Sequence, residues 1–342
     1  MNRRLPAEWE PQDAVLLAWP HAESDWAPLL AAARINIADI VAAISRYQTV
    51  LLLVSDDDQV ASLLSGRGAV MENVQLIAIP TNDTWARDFG PITVEHDEKP
   101  LILDFTFNGW GMKFAAADDN MVTRRLQSLG VFGATKVKQT GLVLEGGSIE
   151  SDGRGTLLTT TECLLEANRN AHLNRDDIET MLREQFGALH QIWLDHGYLA
   201  GDDTDSHIDT LARLCPDDTI CYVRCLSPED EHFEALTAME HQLANAKTPA
   251  GHAYRLVPLP MAAPCFDDEG QRLPATYANY LVINNAVLVP TYEDPERDQQ
   301  ALAAIGEAYP GRDIIGIDCR TLIIQHGSLH CVTMQIPQGA LA

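Results

Sequence analysis

Basic residues are scarce in this 342-residue sequence. It has 24 lysines and arginines against 49 aspartates and glutamates, which gives a formal net charge of −25 at pH 7. Nucleic acids and anionic membranes bind surfaces rich in lysine and arginine, so we expect neither as a partner. An acidic protein attracts cationic small molecules over long distances, and the composition is compatible with such a ligand without identifying one.

Long apolar runs and a signal-peptide pattern are also lacking. The sequence begins MNRRLPAEWEP, without an apolar segment, and we expect no window of about 18 apolar residues that would span a membrane. The seven cysteines are odd in number and irregularly spaced, which is not typical of a disulfide framework. We therefore expect a cytoplasmic protein.

Linkers and low-complexity tracts that would divide the chain are absent as well. Instead, a hairpin, an amphipathic helix and a returning strand recur along the sequence. In the clearest case a hairpin turns at Asn284-Asn285, a helix begins at Pro295, and a strand covers residues 313–318. Asparagine tolerates the positive φ of tight hairpin turns, which favours this interpretation.

Five units of this kind follow one another, each of roughly 50 to 70 residues, a spacing that indicates a repeat fold. A second hairpin is predicted at Asp152-Gly153, and Asn174 is the predicted cap of the helix after it. The predicted helices lie within residues 28–46, 118–130, 174–186, 228–246 and 295–309. Five such units would close around an axis, which predicts an α/β fold with one domain, residues 1–342, and a central site. A two-domain doubly wound protein is the alternative.

Four polar segments fall near the unit boundaries, at residues 82–91, 144–148, 201–209 and 327–331. If the units surround an axis, these segments come together near it. They would supply Asp88, Glu145, His207, Asp209 and Cys331.

Each of these residues also has a purely structural interpretation. A cysteine at a strand start, as predicted for Cys331, is commonly a small core residue. His207 lies among aspartates and could be a solvated turn residue, although the H-x-D spacing places it on the same face as Asp209 in an extended segment. In the WARDFGP motif, Arg87 and Asp88 could simply pair with each other inside a buried loop. The glycines of LEGGS could serve an edge turn with unusual dihedral angles.

Metal and nucleotide sites are weakly indicated. The acids around residue 205, or His330 with Cys331, could hold a cation, but no C-x-x-C, H-x-x-x-H or EF-hand spacing occurs. Adjacent residues of a strand also point to opposite faces, which would separate His330 from Cys331. The glycine motifs match neither the dinucleotide nor the P-loop pattern. We expect no metal and no cofactor.

A cysteine nucleophile with a histidine fits the inventory better. A thiolate is the reactive form, and a nearby cation lowers its pKa. A thiol protease usually needs one polar group to orient its histidine, so Asp88, Asp209 and Glu145 together exceed that need. Several carboxylates suit a planar cation with many N–H donors, and a guanidinium is such a cation.

These motifs resemble those of the agmatine deiminase family in the guanidine-modifying, or pentein, superfamily, to which Porphyromonas-type peptidylarginine deiminases are related. The resemblance covers nearly the whole chain and keeps the order of the motifs. They are WARDFGP (85–91), LEGGSIESDGRGTLLTTTECLLEANRN (144–170), TDSHID (204–209) and GSLHCVTMQIP (327–337). The resemblance implies a five-bladed α/β propeller of ββαβ-type units.

The resemblance also implies roles for the site residues. Cys331 matches the nucleophile and His207 the general acid and base. Asp88 and Asp209 match the carboxylates that hold the guanidinium. Glu145 matches the acid that contacts both the histidine and the guanidinium.

Substrate-tail recognition is less closely matched. Asp203 lies where agmatine deiminases carry a glutamate near the distal amine, and Trp85 matches an aromatic residue of the substrate channel. The sequence has TDSHIDT where TDGHVDN is common, WARDFGP where WMRDTGP is common, and QHGSLHC where GGGNIHC is common. These departures concern the tail more than the reacting groups.

The implied reaction is hydrolysis of agmatine to N-carbamoylputrescine and ammonia through a covalent thiouronium intermediate on cysteine, a step toward putrescine and the polyamines. The implied partner is a small cationic guanidine, with a homo-oligomer left open. Alternative substrates are peptidyl arginine and another small guanidine. Alternative functions are an amidinotransferase, a different thiol hydrolase and a non-catalytic polyamine-binding relative.

Overall fold

The computed structural model describes residues 3–55 and 59–342. Its strands are, in chain order, Arg3–Arg4 (β1), Gln12–Ala18 (β2), Thr49–Val54 (β3), Val74–Ala78 (β4), Ile92–His96 (β5), Lys99–Thr106 (β6), Lys136–Val143 (β7), Ile149–Ser151 (β8), Thr156–Thr160 (β9), His190–Leu194 (β10), Ala212–Cys215 (β11), Thr219–Arg224 (β12), Arg255–Pro260 (β13), Cys265–Phe266 (β14), Arg272–Leu273 (β15), Leu281–Ile283 (β16), Ala286–Thr291 (β17), Asp313–Asp318 (β18) and Met334–Pro337 (β19). Its helices are Leu30–Ile44 (α1), Val60–Gly66 (α2), Ala86–Phe89 (α3), Gly109–Met112 (α4), Val122–Ser128 (α5), Thr161–Leu164 (α6), Ala167–Asn170 (α7), Arg175–Phe186 (α8), Phe233–Asn245 (α9), Pro295–Ala308 (α10) and Arg320–Ile323 (α11).

Five main sheets form the described fold, and each contains an antiparallel strand pair continued by a parallel strand. We call them blades 1 to 5, with strand orders β19-β2-β3-β4, β1-β5-β6-β7, β8-β9-β10, β11-β12-β13 and β16-β17-β18. A helix precedes the parallel strand of each blade, since a parallel connection requires a crossover. The predicted α/β fold with five ββαβ units, the five-bladed propeller pattern, is confirmed. The assignment of residues 1–342 to one domain remains a prediction.

Blade 1 is completed by the C-terminal strand. β19 pairs antiparallel with β2, with Met334 opposite Leu16, and β2 pairs in parallel with β3. The prediction that this strand begins at Cys331 is wrong, because residues 329–332 form a turn and the strand begins at Met334. The Thr333 hydroxyl donates to the His330 carbonyl at 2.9 Å, which closes the turn.

Local signals place turns and helix ends where the sequence predicts them. Asn285 has a φ of 63° between β16 and β17, and Gly153 has a φ of 71° between β8 and β9. The Asn174 side chain accepts a hydrogen bond from the Asp177 N–H, and the Asn174 N–H donates to the Asp177 side chain, which forms a capping box at the start of α8. These predictions are confirmed.

An apolar core lies between the helices and the blades, and α1 belongs to it. Within the described residues, Ala27–Ile44 is long and apolar enough to cross a membrane by length and composition alone, with a mean hydropathy of 1.6 over 18 residues, although it includes Arg34, Asn36 and Asp39. Half of this segment is buried, and α1 contacts α2 and β3. Asn36 also donates to the Asp318 carbonyl at 2.8 Å, which links α1 to blade 5. We therefore interpret α1 as a core helix.

We predict that Ile336→Ala lowers the free energy of unfolding by about 2–5 kcal/mol, the usual cost of such a cavity. Ile336 in β19 is fully buried. Leu76→Ala in β4 is the matched control, because Leu76 belongs to the same blade but is 41% exposed. Urea unfolding of both variants measures the difference. Equal losses would contradict the conclusion that β19 closes blade 1.

Candidate active site

Five chain segments lead into β5, β8, β11, β16 and β19, the first strands of the five ββαβ units. These segments meet one another, and we call them junction segments. They carry, in turn, Asp88 before β5, Glu145 before β8, His207 and Asp209 before β11, Asn279 before β16, and Cys331 before β19. The Arg87 N–H donates to the Cys331 carbonyl at 3.1 Å, and the Asn279 side chain donates to the Asp209 carbonyl at 3.4 Å. The structure therefore brings the five sequence-predicted site residues together.

The Cys331 thiol is buried, with 6% of the residue exposed. Its Sγ lies 3.4 Å from Asn279 Oδ1 and 3.9 Å from Asp209 Oδ2. Burial, followed by the charges of Asp209 and Asp88, raises the pKa of Cys331 well above its ordinary value. These surroundings favour the protonated thiol. Sequence reasoning missed Asn279, although its place before a first strand is the same as that of the other site residues.

Asp209 is fully buried in the short 3-10 turn Ile208–Thr210. Its Oδ2 is 2.7 Å from His330 Nδ1, whereas Oδ1 has no hydrogen-bond partner among the described residues. Burial raises the pKa of Asp209, but the hydrogen bond and charge of His330, together with the charges of His207 and Arg213, outweigh burial and hold it below its ordinary value. His330 and Cys331 both reach this carboxylate, so the expectation that they point apart is wrong, because they lie in a turn.

His207 is a neutral base within reach of Asp88. Its Nδ1 lies 3.6 Å from Asp88 Oδ1, and neither ring nitrogen has a hydrogen-bond partner among the described residues. Burial lowers the pKa of His207 to about 3, although the charge of Asp209 opposes this. Ile208–Thr210 forms a turn and is not extended, so tertiary packing and not the H-x-D spacing brings His207 and Asp209 together.

Asp88 is held from two sides. Its Oδ1 accepts the Gly147 N–H at 2.9 Å, and its Oδ2 accepts the indole N–H of Trp110 at 2.9 Å. Burial, followed by the charge of Asp209, raises the pKa of Asp88 well above its ordinary value. Arg87 does not pair with Asp88, as the structural interpretation of this motif supposed, and instead donates to Gln335 Oε1 at 2.5 Å.

Trp110, which sequence reasoning missed, reaches Asp88 from a left-handed turn. All four residues of α4 have positive φ: Gly109 at 70°, Trp110 at 54°, Gly111 at 79° and Met112 at 66°. This conformation costs roughly 1–2 kcal/mol for each residue other than glycine, so surrounding contacts must stabilise it. The Gly-Trp-Gly sequence was the available signal.

Gly147 occupies the point where three site residues meet. A Cβ there would lie 2.6 Å from His207 Nδ1, 2.9 Å from Asp88 Oδ1 and 3.2 Å from Asp209 Oδ2. Neither Gly146 nor Gly147 has positive φ, so the idea that these glycines supply unusual dihedral angles is wrong. Glycine is required at position 147 for space.

Glu145 is fully buried and bound by Arg169, a residue that sequence reasoning did not single out. The Arg169 Nε–H donates to both carboxylate oxygens, at 3.0 and 2.9 Å, and its Nη1 donates to Asp205 at 2.7 Å. Burial raises the pKa of Glu145, and Arg169 opposes this. Contact of Glu145 with the guanidinium of a substrate remains a prediction.

One group of possible metal ligands occurs within the described residues. One ligand atom each from Glu145, Cys163 and His207 lie within 4.8 Å of one another. Arg169 already engages both Glu145 oxygens, and burial raises the pKa of the Cys163 thiol well above its ordinary value. This donor set suits a hydrogen-bonded network better than a metal, and the absence of a metal remains a prediction.

A cavity of about 160 Å³ runs from exposed Asp25 and half-buried Asp203 to Asp88 and Cys331. Trp85 lines it, and its role as an aromatic residue of a substrate channel remains a prediction. The Asp203 side chain is 42% exposed, and its carboxylate lies 3.9 Å from His326 Nε2. The other predicted residues, Glu145, His207 and Asp209, lie beneath the lining and are fully buried.

The model of the Porphyromonas-type peptidyl-arginine deiminase family matches residues 4–337 of this chain. The chain belongs to this family. A protein from Marinomonas sp. (strain MWYL1) named "Putative agmatine deiminase" is 31% identical over 357 residues, which cover 98% of this chain and 94% of that protein. The resemblance to guanidine-modifying enzymes expected from the motifs is confirmed.

Solved structures share the fold over nearly the whole chain. The "Putative Arginine Deiminase from Porphyromonas gingivalis" is 49% identical, covers 100% of both chains and superposes with a TM-score of 0.92. A cysteine-to-serine variant of the C. jejuni agmatine deiminase with substrate bound is 38% identical, covers 99% of this chain and 97% of that chain, and has a TM-score of 0.92. An inosamine-phosphate amidinotransferase from Streptomyces griseus, at 13% identity and a TM-score of 0.50, shows a similar fold alone.

We predict that 2-chloroacetamidine, which carries an amidinium, alkylates Cys331 at least about tenfold faster than neutral iodoacetamide after correction for intrinsic reactivity. The reason is that the positive charge of the amidinium, placed beside Asp88 and Asp209, lowers the raised pKa of the Cys331 thiol. Mass spectrometry of the modified cysteines measures both rates. Half-buried Cys265 is the control within the same chain and should show no such preference. Equal corrected rates at Cys331 would contradict a cation-activated thiol.

Proposed function

We propose that this protein hydrolyses agmatine to N-carbamoylputrescine and ammonia. The distribution of acids along the cavity supports this most directly. Asp88 lines its inner end, with Asp209 buried beneath the lining and its Oδ1 unpaired among the described residues, and Asp25 and Asp203 line its mouth. Agmatine carries a guanidinium at one end and an ammonium at the other, so both ends would meet carboxylates.

The first half of the reaction forms the covalent intermediate. A guanidinium between Asp88 and Asp209 lowers the pKa of Cys331, and neutral His207 accepts the thiol proton. The thiolate sulfur bonds to the guanidinium carbon, and the tetrahedral adduct then breaks a C–N bond. His207 returns the proton to the departing nitrogen, so ammonia leaves and a thiouronium remains on Cys331.

The second half consumes one water molecule. His207, neutral again, takes a proton from the water as its oxygen bonds to the thiouronium carbon. The C–S bond then breaks as the hydroxyl group loses its proton and becomes the carbonyl of the ureido product. His207 returns its proton to the Cys331 sulfur, and the hydroxyl proton passes to solvent, where it converts the released ammonia to ammonium. The residues of the chain suffice for both halves, and no step calls for a metal or an organic cofactor.

The cavity also weighs against the alternative substrates. At about 160 Å³ it is smaller than the roughly 300–1,000 Å³ usual for drug-sized ligands, which favours a small guanidine over a peptide. Free arginine would bring its carboxylate among Asp25 and Asp203, and none of the described residues lining the cavity is lysine or arginine. An amidinotransferase would need an acceptor amine where we propose water.

The remaining properties of the protein are proposed on composition. All seven cysteines are free, which supports a reducing cytoplasm. The net charge of −25 supports a cationic small molecule as partner rather than nucleic acid or a membrane. A homo-oligomer remains open.

Ammonia release from agmatine, free arginine and a blocked arginyl peptide, compared side by side, tests the proposal. We expect release from agmatine and its loss in Cys331→Ser. Release from arginine or the peptide in preference to agmatine would retain the chemistry and overturn the substrate. Near-normal turnover by Cys331→Ser would exclude the nucleophile.

We further predict that Asp203→Asn raises the KM for agmatine by about tenfold, the expected loss of one charge-assisted contact. Butylguanidine, which lacks the distal ammonium, is the matched substrate, and its KM should not change. Steady-state kinetics with both substrates separate tail recognition from guanidinium recognition. Equal effects on both would argue that Asp203 acts elsewhere than at the tail.

A further inference from the structure

Glu8 lies in the N-terminal segment ahead of β2, outside the junction segments, yet its carboxylate is buried beside the site. Only 6% of the residue is exposed. Its Oε1 accepts the Val282 N–H at 2.6 Å, and its Oε2 accepts from Arg213 Nη2 at 2.9 Å. The same Oε2 lies 2.7 Å from His330 Nε2. The Glu8 carboxylate is therefore fixed by blades 4 and 5 and presents a negative charge to His330.

His330 connects Glu8 to Asp209. Its ring is 1% exposed, with Nε2 on Glu8 and Nδ1 on Asp209, each at 2.7 Å. An oxygen of an ionised carboxylate only accepts, so Nδ1 donates to Asp209, whereas Nε2 donates to Glu8 when it is protonated and otherwise accepts from Arg213 Nη2, which lies 3.1 Å away. Burial and the guanidinium groups of Arg213 and Arg87 lower the pKa of His330, whereas Glu8 and Asp209 counteract this. The charge on His330 thus depends on its carboxylate partners.

We propose that Glu8 and His330 are positioning residues for Asp209, an inference that rests on the proposed function. Glu8 holds His330, His330 binds Oδ2 of Asp209, and Oδ1 is left to face the guanidinium. Neither Glu8 nor His330 lines the cavity in the part of the chain that the structure describes. The N-terminal segment therefore sets guanidinium affinity without touching the substrate.

Glu8→Gln tests this because it keeps the side-chain length and the contact with Val282 but removes the charge. His330 then loses the partner that favours a proton on Nε2, and Asp209 loses a cationic neighbour. We expect the KM for agmatine to rise about tenfold, the usual effect of an outer-shell partner, with kcat changed less than about threefold. The acid limb of kcat/KM should shift to higher pH, because Asp209 without a cationic neighbour takes up a proton at higher pH. The charged groups facing His330 are Glu8, Asp209, Arg213 and Arg87.

Glu10→Gln is the matched control. Glu10 lies in the same segment and accepts from the Ala7 N–H at 2.8 Å and from Arg4 at 2.5 Å, without contact to His330. Its KM and pH profile should equal those of the wild type. A fall in melting temperature shared by both variants, with KM unchanged in Glu8→Gln, would overturn the inference and leave Glu8 a structural residue.

The double variant Glu8→Gln/His330→Gln tests whether Glu8 acts through His330. If it does, the double variant is no worse than His330→Gln alone, because contacts in one chain of interactions are not additive. Additive losses would overturn the proposed order of contacts.

Alkylation of Cys331 by 2-chloroacetamidine separates this inference from the proposed function. We expect the rate to fall about tenfold in Glu8→Gln, as for the KM, and to stay unchanged in Glu10→Gln. That result, together with no ammonia from agmatine in the wild type, would support the positioning role and reject the substrate. Ammonia from agmatine with an unchanged alkylation rate in Glu8→Gln would support the substrate and reject the positioning role.

Discussion

The hydrogen bond between His330 Nδ1 and Asp209 Oδ2 favours the charged form of Asp209, in contrast to the other buried acids around it. Buried carboxylates tend toward the neutral form, and burial raises the pKa of both Asp88 and Glu145. Asp209 is equally buried, but its pKa is lowered because His330 lies 2.7 Å away. Of these three buried carboxylates, Asp209 therefore favours the charged form most, and it lies close to Cys331. A cation that binds beside Asp209 also favours ionisation of Asp88. Asp88 and Asp209 therefore need not both be charged before the cation binds.

The repeat explains how so many polar groups reach one place without long loops. Each ββαβ unit brings the segment before its first strand toward the same region, and each such segment carries a different side chain. A carboxylate, an imidazole, an amide and a thiol thus occupy corresponding positions in successive units. Blade 1 is the exception in the chain, because its first strand is β19, from the C-terminus. Closure of the fold and placement of Cys331 therefore depend on the same strand pairing.

Features governed by neighbouring residues were predictable, and features governed by distant contacts were not. Asn174, Asn285 and Gly153 act through their own turns and caps, so sequence located them. The left-handed conformation of Trp110 is stable only against tertiary contacts, and its glycine neighbours were the one visible hint. The roles of Arg169 and Glu8 could not be predicted, since each buried charge needs partners far along the chain: Glu8 contacts His330, which is 322 positions away. The placement of Cys331 in a turn also depends on distant contacts. Its sequence predicted a strand instead, because an apolar run that contains a thiol is typical of a strand.

The raised pKa of Cys331 argues for selection of substrate by charge rather than by shape alone. A thiol hydrolase that acts on neutral amides needs a thiolate before its substrate arrives, usually beside a permanent cation. Here burial and two carboxylates raise the pKa of the thiol and burial lowers the pKa of His207, so the surroundings of the free site favour the thiol over the thiolate. A neutral molecule in the cavity changes none of these charges. A guanidinium changes them in the required direction, because it stabilises the thiolate and pairs with the carboxylates at the same time. The electrostatics that would impair a general thiol enzyme therefore make reactivity at this site conditional on a cation.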